Sequence, residues 1–86
     1  MNETREILNH NLSEAAYELG QLISRLKTGV CDDDVEIAIR LKGVIWHLRV
    51  AWNGRDMTFA DVEALTLSEF DNLGANPVEF IGEVPV

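Results

Sequence analysis

His10, His47, Cys31 and the run Asp32, Asp33 and Asp34 are the side chains whose types could carry chemistry, and their spacing decides whether they do. An imidazole works as an acid, a base or a ligand only beside an oriented partner. Neither histidine has a carboxylate or cysteine at a spacing that announces a metal pair. The aspartates follow one another directly, so in an extended chain they point to alternate sides, without the spaced acids and central glycine of a calcium loop. They read as an acidic connection between two elements. Their charge also raises the pKa of Cys31 and suppresses its thiolate. Phosphate-binding glycine loops, G-x-S-x-G, H-E-x-x-H and C-x-x-C are absent. The expectation is therefore no catalytic residue, no metal and no cofactor. An enzyme is disfavoured further because one domain of this length has little room for a pocket with convergent polar groups.

Charge is more informative than motif. Up to Arg55 there are eight acids against all seven bases, whereas residues 56–86 hold Asp56, Asp61, Glu63, Glu69, Asp71, Glu79 and Glu83 against no base, which accounts for most of the net charge of −8. That layout argues against direct nucleic-acid binding, which needs clustered Lys and Arg to displace counterions. It suits a protein partner with a basic surface, or simply a solvated face that keeps a small protein in solution. A lone cysteine, no signal-peptide pattern and no apolar run of membrane-spanning length point to a cytoplasmic protein without a membrane segment.

The elements that must position these residues come from periodicity. The 86 residues, 47% of them hydrophobic and 26% charged, describe a single globular domain over 1–86. A chain this short buries only about 60 to 65% of its unfolded surface, so a partner or a second copy would relieve a marginal core. Leu8, Leu12, Ala15, Leu19, Leu22 and Leu26 recur at spacings of three and four, a leucine stripe along one helix. Lys27 and Gly29 mark its end. Thr4 or the box Asn11-Leu-Ser-Glu14 marks its start, with the firm part from Leu12 to Thr28. The stripe serves to pack the helix on its own domain, or as a self-association seam through Leu8, Leu12, Leu19, Leu22 and Leu26.

Residues 35–52 are ambiguous. Folded about Lys42-Gly43 they set Val35 opposite Val50, Ile37 opposite Leu48, Ile39 opposite Trp46 and Leu41 opposite Val44, all on one face, with Glu36 opposite Arg49 on the other. Asn53-Gly54 then reads as a type I′ turn into a third strand. The favoured fold is α+β: the N-terminal helix on a three-stranded antiparallel meander at about 35–41, 44–52 and 55–58. The alternative is all-α with 34–52 as a helix, which lines up Ile37, Leu41, Val44, Leu48 and Ala51 and pairs Glu36 with Arg40. Against it stand several β-branched residues and a mid-helix Gly43, which costs about 1 kcal/mol.

Thr58-Phe-Ala-Asp61 and Thr66-Leu-Ser-Glu69 are capping boxes, so 59–73 forms a short acidic helical segment, whole or in two pieces ended by Leu73-Gly74. Asn76-Pro77 begins an extended tail that packs on its own sheet edge or on another chain, with Pro85 limiting any strand. On the hairpin reading Trp46 and Trp52 face the core. Function then rests on surfaces. The reading is a small acidic protein-binding module of inhibitor or immunity type, of the size and charge of phage or mobile-element antagonists. It would occlude a basic, nucleic-acid-binding surface through Asp56, Asp61, Glu63, Glu69, Asp71 and Glu79. The alternatives are a homo-oligomeric structural, assembly or chaperone protein and, third, a small-molecule binder or enzyme.

Overall fold

The computed structural model describes residues 5–31 and 33–79, in which four helices follow one another: α1 over Glu6–Lys27, α2 over Asp34–Asn53, α3 over Phe59–Glu63 and α4 over Leu67–Ala75. Among the described residues there is no strand. The three-stranded meander, and with it the α+β class, is overturned; the all-helical alternative is the fold.

The start of α2 is set locally. Asp33 is the N-cap and its side chain accepts from the Val35 backbone N–H at 3.3 Å, while Asp34 and Glu36 lie in the first turn, where the helix dipole favours acids. Glu36 and Arg40 make the i,i+4 pair at 3.2 Å. The β-branched residues do not prevent this helix, since each costs no more than about 0.7 kcal/mol of helix propensity and tertiary packing overrides that. Strand-like alternation arises because α2 is apolar nearly all round. Val44, Val50 and Ala51 are buried, and Trp46 turns to a different side, toward α4. A helix apolar around its circumference belongs at the centre of a fold. Asn53-Gly54 is accordingly not a hairpin turn. Gly54 is the C-cap of α2 at φ −104°, and Asn53 Nδ2 donates to the carbonyls of Leu73 at 2.8 Å and Asn76 at 3.2 Å, tying the end of α4 to α2.

α1 and α2 form an antiparallel hairpin. Its register shows in Arg25 facing Glu36 at 3.7 Å, Asn11 facing His47 at 2.9 Å, and Ile7 donating to the Met57 carbonyl at 3.3 Å just beyond the end of α2. The turn opens as the sequence predicts, with Gly29 at φ +75° after Lys27. The start does not. α1 begins at Glu6 after Arg5, which gives no side-chain cap, and Asn11 lies inside the helix, buried, donating to the Ile7 carbonyl at 3.0 Å. Thr4 lies outside the described residues.

Both capping boxes form as read, and they divide the acidic segment into two helices. α4 packs on α2 through Phe70, whose ring meets Trp46 edge-on at 6.3 Å, and Gly74, where any Cβ would run into the Trp46 ring. Trp46 and Trp52 are each only half-buried. Residues 77–79 return to the hairpin, where Trp52 Nε1 donates to the Glu79 carbonyl at 2.7 Å. The rest of the expected tail, including Glu83 and Pro85, lies outside the described residues. Among the described residues no helix is long and apolar enough to cross a membrane.

Candidate functional site

The α1–α2 hairpin has two long sides, and the sequence makes them opposites. Ile7, Asn11, Ala15 and Leu22 are the α1 residues buried along it. At about 100° per residue, Leu12, Leu19 and Ile23 lie roughly a quarter turn away, and antiparallel packing brings Leu41, Ile45 and Leu48 of α2 to the same side. Leu12, Leu19, Ile23, Leu26, Leu41, Ile45 and Leu48 all remain exposed, Leu12 at 45% and Leu48 at 44%. At one end Leu8, Leu12, Leu48, Ala51, Trp52 and Val78 line an open groove that is almost wholly apolar. Among the described residues this is a run of partly exposed apolar side chains along one side of the hairpin. The sequence stripe therefore divides: Leu22 is buried at 3%, while Leu19 stays at 41% with Leu12 and Leu26. Leu8 is half-buried.

The other side is polar. Asn11 Nδ2 is committed to the Ile7 carbonyl, so its Oδ1 faces His47 and accepts from Nδ1 at 2.9 Å. That leaves His47 Nε2 turned to Glu18 Oε1 at 3.2 Å, with Glu14 close by on the preceding turn of α1. Gly43 explains how the carboxylate fits: a Cβ there would lie 2.9 Å from Glu18 Oε2. The glycine that argued against a helix is where α1 lays a charged side chain against the α2 backbone. Tyr17, Gln21, Ile39 and Arg40 continue this side as a shallow groove, with Arg40 held by Glu36 through Nε at 3.2 Å.

The six acids expected to bind a partner are not gathered. Asp56 pairs with Arg5 at 3.5 Å. Asp61 and Glu69 are the N3 residues of the capping boxes, accepting from the Thr58 and Thr66 backbone N–H groups, each at 2.9 Å. Hydrogen bonds from Thr66 hold the Glu69 carboxyl below its ordinary range. Glu63, Asp71 and Glu79 are exposed. Residues two apart on a helix point to opposite sides, so Asp61 and Glu63, like Glu69 and Asp71, share no patch.

Cys31 is a buried free thiol, and burial first, then the Glu36 carboxylate, pushes its pKa up. It is suppressed as a nucleophile, though its own burial outweighs the acidic neighbours that the sequence suggested. His10 stacks edge-on against Phe59 at 5.7 Å.

Sequence reasoning missed the convergence of Glu14, Glu18 and His47. The four-residue spacing of the glutamates was visible, but their meeting with His47 depends on α2 being a helix in a particular register. The chain matches no protein-family model, and no curated protein and no solved structure matches it at a significant level.

Proposed function

We propose that the protein is a helical protein-binding module that works as a homodimer, with the uncovered α1–α2 face of one copy seated on that of a second. The observation that carries this reading is the apolar side of the hairpin, running from Leu8 to Leu26 on α1 and from Leu41 to Trp52 on α2. The occupant is a second copy for two reasons. The stretch is about 27 Å long on α1 and about 17 Å on α2 at 1.5 Å per residue, each helix about 10 Å wide, a footprint on the order of 400 Å². A footprint of that size belongs to the low end of protein interfaces, in keeping with self-association that depends on concentration. The residues on the face are also apolar, with one charge at its end where the Arg55 guanidinium lies over the Trp52 ring at 4.2 Å, and a mainly apolar patch is the character of homodimer interfaces and is complementary to itself about a two-fold axis. Two hairpins so joined make a four-helix arrangement, and α2 is then covered on its third side.

The test is sedimentation equilibrium over a wide concentration range. The expected mass rises toward twice 9.6 kDa. Leu19→Asp and Leu48→Asp should each hold the protein at the monomer mass with helicity retained. A monomer throughout, or a dimer indifferent to both substitutions, would overturn the reading.

A second reading rests on the base-free chain after Arg55, with exposed Glu63, Asp71 and Glu79. The dimer would present two acidic α3–α4 arms to a basic partner, in keeping with an inhibitor or immunity-type role in a reducing, cytoplasmic setting that suits the free thiol of Cys31. Such binding should weaken with salt and with Glu63→Gln and Asp71→Asn. A partner whose affinity ignores both salt and these changes would contradict it. On either reading the chain binds protein and is not an enzyme.

A further inference from the structure

The polar side of the hairpin holds the one cluster among the described residues whose donor atoms lie close enough to share an ion. One carboxylate oxygen each from Glu14 and Glu18 and one ring nitrogen of His47 all lie within 4.8 Å of one another. We propose that Glu14, Glu18 and His47 form a binding site for a single divalent transition-metal ion of the zinc type, bridging α1 and α2.

Three features support this. The first is the orientation of the imidazole. Asn11 is 7% exposed and fixed by its bond to the Ile7 carbonyl, so the Nδ1 proton of His47 goes to Asn11 Oδ1 and Nε2 is left facing the carboxylates. A ligating histidine is held in the same manner, with its far nitrogen donating to a fixed acceptor. The second is spacing. Two donors about 2.0 Å from a tetrahedral ion lie about 3.3 Å apart, and Nε2 and Glu18 Oε1 stand 3.2 Å apart. A neutral imidazole nitrogen and a carboxylate oxygen at that distance repel through their lone pairs unless a cation, either a proton or a metal, sits between them. The third is Gly43, the gap in α2 that admits Glu18. In addition, the neighbouring Arg40 guanidinium is held by Glu36.

The donor set decides the ion. Imidazole nitrogen with carboxylate oxygen suits Zn²⁺, Co²⁺ and Ni²⁺, whereas Mg²⁺ and Ca²⁺ take oxygen ligands. All three residues are half-buried, which leaves room for water to complete the shell. The site lies on the other side of the hairpin from the apolar face, so it stands or falls independently of dimerisation.

Co²⁺ is the probe, titrated into the chelator-treated full chain while the visible d–d bands are followed, with Zn²⁺ then displacing it. One ion per chain is expected. His47→Ala should abolish the bands, Glu14→Gln and Glu18→Gln should each weaken binding at least tenfold, and Mg²⁺ in large excess should not compete. Asn11→Ala, a positioning change, should weaken binding about 10- to 100-fold. The two glutamine variants preserve side-chain shape and are expected to retain helicity, which circular dichroism checks, so they decide the matter even if His47→Ala unfolds. No d–d bands, or bands of unchanged affinity in both glutamine variants, would overturn the proposal and leave His47 and Glu18 a plain ion pair.

Discussion

The two long sides of the α1–α2 hairpin are built from the same two helices in opposite ways. On the polar side the middle of the hairpin is fitted: Asn11 takes His47, His47 meets Glu18, and Gly43 makes space for the carboxylate, although Tyr17 and Ile39 stay exposed and the buried Arg25 Nε has no hydrogen-bond partner. On the apolar side Leu12, Leu19, Leu41 and Leu48 are exposed and nothing in the chain covers them among the described residues. That fitted middle is complete within one copy. In the proposed dimer a second copy excludes water from the apolar side, and each leucine, 39–45% exposed in one copy, gains under half of the roughly 1.5–3 kcal/mol of a full burial.

The contrast is broken most severely by comparing two leucines from one stripe. Leu22→Ala removes a side chain enclosed in the hairpin and should cost about 3 kcal/mol at any protein concentration. Leu19→Ala should cost under about 1 kcal/mol in the dilute monomer and weaken self-association instead. Chemical denaturation at two concentrations separates them. Equal, concentration-independent losses would dissolve the distinction between the sides.

Gly74→Ala tests the third side of α2, where α4 sits. The added methyl meets the Trp46 ring, and overpacking of that kind should cost about 2 kcal/mol. Loss of the Trp46 contact is checked by indole fluorescence. An unchanged midpoint would mean that α4 is not held there.

Gly43→Ala acts in two directions. Alanine favours the helix by about 1 kcal/mol, and the atom it meets is the far end of the Glu18 side chain. Stability should therefore hold or rise, by up to about 1 kcal/mol, while Co²⁺ affinity falls. Lower stability with unchanged affinity would contradict the role given to this glycine.

The smallest effect lies at α4. Glu69 is held below the ordinary carboxyl value of 4.5 by hydrogen bonds from Thr66. Its folded pKa is depressed, so its contribution is present above that value and is lost as pH falls through the lower, folded one. Amide shifts of Leu67–Ala75 should report fraying in that acid range, and Glu69→Gln should flatten the response. An unaltered acid response in that variant would remove Glu69 from the cap.

Local signals were legible in the sequence wherever a few adjacent residues decide the backbone. Gly29 ended α1, and Thr58-Asp61 and Thr66-Glu69 started two helices, because caps are short-range chemistry. Over residues 35–52 alternation and helical periodicity cannot be told apart, because two positions in three are apolar. What makes α2 apolar all round is tertiary: α1, α4 and an uncovered side take different faces of it. Gly43 misled for a related reason. Its local cost is real, and its compensation comes from Glu18, 25 positions earlier in the chain. The Glu14, Glu18 and His47 cluster was hidden behind the same ambiguity, as no spacing rule joins residues on two helices before their register is known.

Which side of the hairpin meets a second copy in the proposed dimer is measured directly by an isotope-filtered NOE experiment on a mixture of carbon-13-labelled and unlabelled protein. Intermolecular contacts are expected among the methyls of Leu12, Leu19, Leu41, Ile45 and Leu48, with none from Tyr17 or Ile39. Contacts confined to Tyr17 and Ile39, or none at concentrations where the mass has doubled, would contradict it.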